Sequence, residues 1–211
     1  DTVDPGLLHL EGDTLLFSAP ERTTAGLYRL DLATEEIERS TPAGSIHRGF
    51  SVSADGGVRA WLAADATHLS EVEVRHADGE VRRITDVSAQ LQGFALPTKE
   101  IVSWTAPDGL AIEGVLTLPP DFDARRRWPL LVRTHGGPTG TDFPWLAGAP
   151  RSFYEPAVLA SLAGGALVLQ TNYRGSAAYG EAFQRSNLRN LGVGPAEDIV
   201  AGIEMLDARG I

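Results

Sequence analysis

The sequence predicts a mixed fold in which short, repeated antiparallel strands give way to alternating strands and helices. Three observations carry this reading. Residues 1–98 align with themselves at an offset of 44, the next twenty hold two strand-like runs joined by a hairpin signal, and from residue 128 the rhythm becomes strand, helix, strand, helix.

In the first half, the offset places Gly12 on Gly56, Ala19 on Ala63, Glu36 on Glu80, Arg39 on Arg83 and Thr41 on Thr85. Similar residues also coincide: Phe17 with Trp61, Leu30 with Val74, Ile37 with Val81. Alternation within each unit, as in Tyr28-Arg29-Leu30-Asp31-Leu32 and Glu71-Val72-Glu73-Val74-Arg75, marks strands, and Asp55-Gly56-Gly57 and Ala77-Asp78-Gly79 mark turns. A period of about 40–45 residues built from short strands is the pattern of β-propeller blades, which bury their faces only by stacking on neighbours. Two such units do not close a ring, so residues 1–98 read as the last blades of a partial propeller; a small sandwich with chance repetition is the alternative.

Beyond the connector Gly93-Phe94-Ala95-Leu96-Pro97, a boundary falls near residue 98. Strands are expected at 100–105 and 110–118 around Pro107-Asp108-Gly109. The run 128–134 is apolar enough for a strand buried on both faces. A helix is expected at 153–163 with Pro156 in its first turn, a strand at 166–171 and a helix at 179–189, followed by a break at Gly192-Val193-Gly194. Pro195 should open the last helix, with Glu197 and Asp198 favouring its N-terminus, Ile199, Ile203 and Leu206 as its buried stripe, and Gly210 ending it. Strands and helices in this order imply a mainly parallel sheet between helices.

Composition narrows the chemistry. The chain has no cysteine, which excludes disulfides and thiolate metal sites. Its net charge is −10, with 16 acids and 8 bases in residues 1–98 against 12 and 10 in residues 99–211, which disfavours nucleic acid and anionic membrane as partners. No apolar stretch reaches the ~18 residues of a membrane span. His9, His47, His68 and His76 lack ligand spacing, and the glycines form neither a Walker loop nor a dinucleotide fingerprint, so neither metal nor cofactor is expected.

One motif does point to chemistry. The run Leu130-Leu131-Val132-Arg133-Thr134 ends in His135-Gly136-Gly137-Pro138, which would bring bare backbone N–H groups to the carboxyl edge of a sheet, where acyl transfer needs donors for a developing oxyanion. No serine lies in a Gly-x-Ser-x-Gly setting, so only half of such a site is legible.

Taken in order, Asp108-Gly109 with Ile112, Gly114, Leu118 and Pro119, then Trp128-Pro129, His135-Gly136-Gly137-Pro138, Asn172-Tyr173-Arg174-Gly175-Ser176, Tyr179-Gly180, Phe183 and Asp198 resemble the prolyl oligopeptidase family of serine peptidases, especially its acylaminoacyl-peptidase and dipeptidyl-aminopeptidase branch. The resemblance implies a cytoplasmic enzyme that joins a propeller to an α/β-hydrolase domain, with residues 99–211 as the N-terminal part of the latter. It implies short peptides as substrates and a Ser, Asp, His triad lying past Ile211. The remaining segments of the same enzyme are then partners of this chain, and a homo-oligomer stays open.

On that resemblance Gly137 supplies one oxyanion donor, with Gly136 and His135 beside it. A plainer account makes Gly136-Gly137-Pro138 a tight turn and His135 a hydrogen-bonded residue that fixes the loop. Arg174 offers a donor fork to a substrate carboxylate or carbonyl, or else pins its own loop through a salt bridge. Ser176 lacks the surroundings of a nucleophile, Tyr173 and Tyr179 read as packing residues, and a helix N-terminus suffices to explain Asp198. The rival functions are a non-catalytic binding module on the same scaffold, disfavoured by the unpaired sheet edge it would expose, and an esterase with the same loop.

Overall fold

The computed structural model describes residues 8–137, 139–147, 155–162 and 164–211, and all that follows concerns these. Eight strands form a first, open sheet: β1 (Leu8–Glu11), β2 (Thr14–Glu21), β3 (Thr24–Asp31), β4 (Ile37–Arg39), β5 (Ile46–Val52), β6 (Arg59–Ala64), β7 (Glu71–Arg75) and β8 (Val81–Arg83). Two antiparallel meanders, β1–β4 and β5–β8, touch through a single parallel pair, Ala25 with Ile46. The offset of 44 carries β4 onto β8 residue for residue and lays β2 on β6 and β3 on β7. Thr41 and Thr85 explain their own coincidence: the hydroxyl of each accepts a backbone N–H of the corresponding strand, from Leu27 of β3 at 3.2 Å and from Val72 of β7 at 2.8 Å. Leu27, Trp61 and Ala63 form the core between the meanders, with Phe50 against them.

A second sheet holds β9 (Thr98–Thr105), β10 (Ala111–Leu118), β11 (Leu130–Thr134) and β12 (Leu167–Asn172), in the order β11-β12-β10-β9. The expectation of a mainly parallel sheet is corrected here. Only β11 and β12 run parallel, because the β9–β10 hairpin adds to β12 in the antiparallel sense. The hairpin closes on a turn in which the Ala106 N–H donates to the Leu110 carbonyl at 2.8 Å, the Gly109 N–H donates to the Ala106 carbonyl at 2.9 Å and Gly109 adopts φ +90°.

The run 128–134 also departs from expectation. Its strand begins at Leu130 and, among the described residues, pairs on one side alone, with β12, leaving Leu131 and Val132 exposed; β12 is paired on both sides and its six residues are all buried. Apolar content alone does not distinguish a strand paired on one side from one paired on both.

Helix α1 (Pro156–Ala160) has its proline in the first turn; Phe153 and Ala163, the ends of the expected helix, lie outside the described residues. Helix α2 (Glu181–Arg185) is half as long as the pattern suggested, bounded by Gly180 at φ +87° and followed by turns. Helix α3 (Val193–Ala208) starts two residues before Pro195, because the Asn190 side chain accepts the Gly194 N–H at 3.1 Å and satisfies the first turn.

The buried stripe of α3 is Gly194, Asp198, Gly202 and Leu206 rather than the isoleucines, and Ile203 is exposed. Trp104 dictates this. Its indole N–H donates to the Asp198 carbonyl at 2.8 Å, and its ring lies so close to Gly202 that a Cβ there would sit 2.8 Å from the ring. Only a helix face bare at residue 202 can approach β9 in this way.

Candidate active site

The site begins where β11 and β12, being parallel, end on the same side of the sheet. From Thr134 the chain enters His135, Gly136 and Gly137, and turns so that the Gly140 N–H donates to the Gly136 carbonyl at 3.2 Å. Gly137 has φ +128°, and a Cβ on it would lie 2.9 Å from the backbone nitrogens of Thr139 and Gly140, so no side chain fits. Gly136 and Gly137 are exposed, and among the described residues neither amide N–H has an acceptor. Two exposed N–H groups with no protein acceptor among the described residues therefore stand at the carboxyl edge of the parallel pair; Pro138 lies outside the described residues.

His135 is held from three sides. Its ring stacks on Tyr173 with centroids 4.4 Å apart, its carbonyl accepts the Tyr173 hydroxyl at 2.7 Å, and its Nε2 lies 2.9 Å from Ser176 Oγ. Burial pushes its pKa below the usual histidine value, which favours the neutral ring. The Ser176–His135 contact has the spacing of a nucleophile and its base. Ser176 is nevertheless fully buried and its hydroxyl donates to the Tyr173 carbonyl at 2.6 Å, so no substrate reaches it and the contact fixes the loop.

Arg174 lies beneath this loop, 5% exposed. Its Nε and Nη2 face the Asp198 carboxylate, with Nη2 to Oδ1 at 2.7 Å, and its other edge meets Asp108 at 2.7 and 3.1 Å. The two carboxylates, Asp198 first, raise the pKa of the guanidinium above its already high value. In this arrangement Arg174 ties together the β9–β10 turn, the end of β12 and the start of α3. Asp198, expected as an N-terminal charge, is instead fully buried, makes no cap, and accepts the Arg174 backbone N–H at 2.8 Å.

A second group of polar residues escaped the sequence reading. Asn172, fully buried at the end of β12, clamps Asp142 by accepting its N–H at 2.7 Å and donating to its carbonyl at 3.0 Å. Asp142 in turn pairs with Arg133 of β11 at 2.8 Å, so the segment leaving the glycine turn is held on both strands. Thr141 Oγ1 adds a bond to the Ala177 carbonyl at 2.9 Å. One signal was present in the sequence: an asparagine closing an otherwise apolar strand must find buried partners.

Residues 151–211 match the prolyl oligopeptidase family. The chain is 26% identical over 140 residues to prolyl endopeptidase FAP of Bos taurus, covering 64% of this chain and 17% of that protein. To dipeptidyl-peptidase 5 of Schizosaccharomyces pombe it is 29% identical over 114 residues, 54% of this chain and 16% of that one.

Among solved structures, acylaminoacyl peptidase of Pyrococcus horikoshii superposes on 97% of the chain with a TM-score of 0.77 at 22% identity, which concerns the fold. Puromycin hydrolase superposes on 95% with a TM-score of 0.73 at 26% identity. The chain spans about a sixth of the curated relatives and 30% of either solved chain. By sequence match over residues 151–211, by its relatives and by its fold, the chain is similar to members of the prolyl oligopeptidase family.

Proposed function

We propose that this chain is part of a cytoplasmic serine peptidase that cleaves short peptides through an acyl-enzyme, releasing acylated residues or dipeptides from their N-termini. In this reading residues 1–98 are the last blades of a propeller and residues 99–211 open an α/β-hydrolase domain. The strand-on-strand equivalence at an offset of 44 and the similarity to peptidases support it. The Ser, Asp and His of the triad come from segments other than this one, and the chain on its own is inactive.

The observation that carries the proposal is the pair of exposed amides at Gly136 and Gly137, without an acceptor among the described residues, beside the ends of β11 and β12. Gly137 N–H is assigned as one oxyanion donor, the second coming from the residue after the nucleophile. His135 supports the turn. Arg174 is read as its anchor in preference to a substrate contact, since both edges of its guanidinium face carboxylates.

The test uses the intact enzyme. A serine-directed fluorophosphonate should label it and leave the isolated 211-residue chain unlabelled, and Gly137→Ala, whose Cβ would collide with the Thr139 and Gly140 nitrogens and push the N–H out of place, should lower kcat on a peptide amide by about a hundredfold, the scale of losing one oxyanion donor. Labelling of the isolated chain, or full turnover by Gly137→Ala, would refute the assignment. Turnover of an ester together with no measurable turnover of the peptide amide that shares its acyl group would shift it toward an esterase.

A further inference from the structure

Four described residues other than glycine adopt positive φ, and two of them, Arg22 at +53° and Ala178 at +73°, are bonded to each other: the Arg22 N–H donates to the Ala178 carbonyl at 2.9 Å. Arg22 occupies the first central position of the two-residue turn between β2 and β3, where Glu21 pairs with Thr24. Thr23, the second central residue, keeps the ordinary sign, so the turn is of the type that takes glycine where Arg22 stands. An arginine in a strained glycine position implies that its side chain is needed there.

That side chain reaches from the first sheet to the second. It forms a bidentate pair with Glu113 of β10, Nε to Oε2 at 3.2 Å and Nη2 to Oε1, and its guanidinium lies 5.5 Å from the centre of the Tyr179 ring. Tyr179 donates to Glu113 Oε2 at 3.1 Å and accepts from Asn172 Nδ2 at 3.0 Å. Asn172 is the residue that clamps Asp142, two positions beyond the turn that carries the exposed amides.

The same segment is anchored to the first sheet a second time. Trp145 packs among Ala25, Ile46 and Ala64, and the Leu146 N–H donates to the Asp65 carbonyl at 2.9 Å. An arginine whose side chain is 59% exposed gains little stability from an ion pair. Strain at Arg22 is therefore not explained by stability.

We infer that Arg22 is a positioning residue for the oxyanion turn, acting from the first sheet through Glu113, Tyr179 and Asn172. The inference rests on the peptidase reading above. It makes the first sheet a determinant of the catalytic rate as well as a neighbour of the site.

The decisive variant in the intact enzyme is Arg22→Gly, which suits the positive φ and removes only the side chain. Its thermal stability should equal or exceed that of the parent, while kcat on a peptide amide falls roughly tenfold with KM unchanged, a smaller loss than the ~10²-fold expected of a 1 Å misplacement. Arg22→Lys should recover part of the loss. The double variant with Tyr179→Phe should lose no more than the worse single, since both act along one path. An unchanged kcat in Arg22→Gly, a rise in KM alone, or losses that multiply in the double variant would overturn the inference. Gly137→Ala separates the two failures: if it loses turnover while Arg22→Gly does not, only the role of Arg22 falls, and if Gly137→Ala turns over fully the peptidase reading falls with it.

Discussion

At the scale of single residues, the largest consequences come from buried charge and from a depressed carboxylate. Asp198 is fully buried against Arg174, and removing one member of such a pair leaves the other uncompensated in a medium of low polarity. Asp198→Ala should therefore cost about 3–5 kcal/mol of stability, read by denaturant titration, whereas loss of the half-exposed partner Asp108 should cost far less. Glu71 is the opposite case, a carboxylate stabilised wholly by neutral donors. Thr85 Oγ1, the N–H groups of Val87 and Ser88, and Ser88 Oγ all donate to it, at 2.6 to 2.8 Å, and hold its pKa at about 2. A carboxyl group whose folded pKa lies below its unfolded value of 4.5 contributes fully above about pH 4.5 and loses that contribution as pH falls toward 2. Melting temperatures measured from pH 6 to pH 2 should show the advantage of the native protein over Glu71→Gln shrinking through that window; a constant gap would contradict the assignment.

At the scale of elements, helix α3 shows why pattern and packing part company. Periodicity selected Ile199, Ile203 and Leu206, yet only Leu206 is fully buried, because Trp104 demands the closest approach at Gly202. The Trp104 ring is also confined at Gly114, where a Cβ would stand 3.0 Å from it. Gly202→Ala thus sets a gain of about 1 kcal/mol in helix propensity against an overpacking cost of about 1–3 kcal/mol. The net effect should be destabilising in a thermal melt, although the same change on the exposed face of α3 would stabilise. The hairpin β9–β10, strand β12 and the repeat of the first sheet were legible because each rests on local alternation and turn chemistry. The shortening of α2 was not, since Gly180 and the turns after Arg185 override an apolar spacing that continues in the sequence.

At the scale of the whole molecule, the contacts between the two sheets include, among the described residues, Arg22 with Glu113, Ala178 and Tyr179, and the segment 143–146 with Ala25, Ile46, Arg48, Ala64 and Asp65. Arg22→Gly and Trp145→Ala remove separate parts of this junction. Trp145→Ala should cost about 3–5 kcal/mol through loss of a buried aromatic, and limited proteolysis near residues 139–147 should accelerate with it. By itself the sequence determined the repeat, the hairpin, the order of strands and helices, and the glycine pair at the end of a strand, because these follow from periodicities and backbone preferences local to a few residues. Tertiary structure alone decided that β12 lies between β11 and β10, that Arg174 spends its charge on Asp198 and Asp108, and that Arg22 meets Tyr179 across more than 150 residues of chain. Pairing, burial and charge compensation are settled between elements, where no stretch of sequence holds both partners.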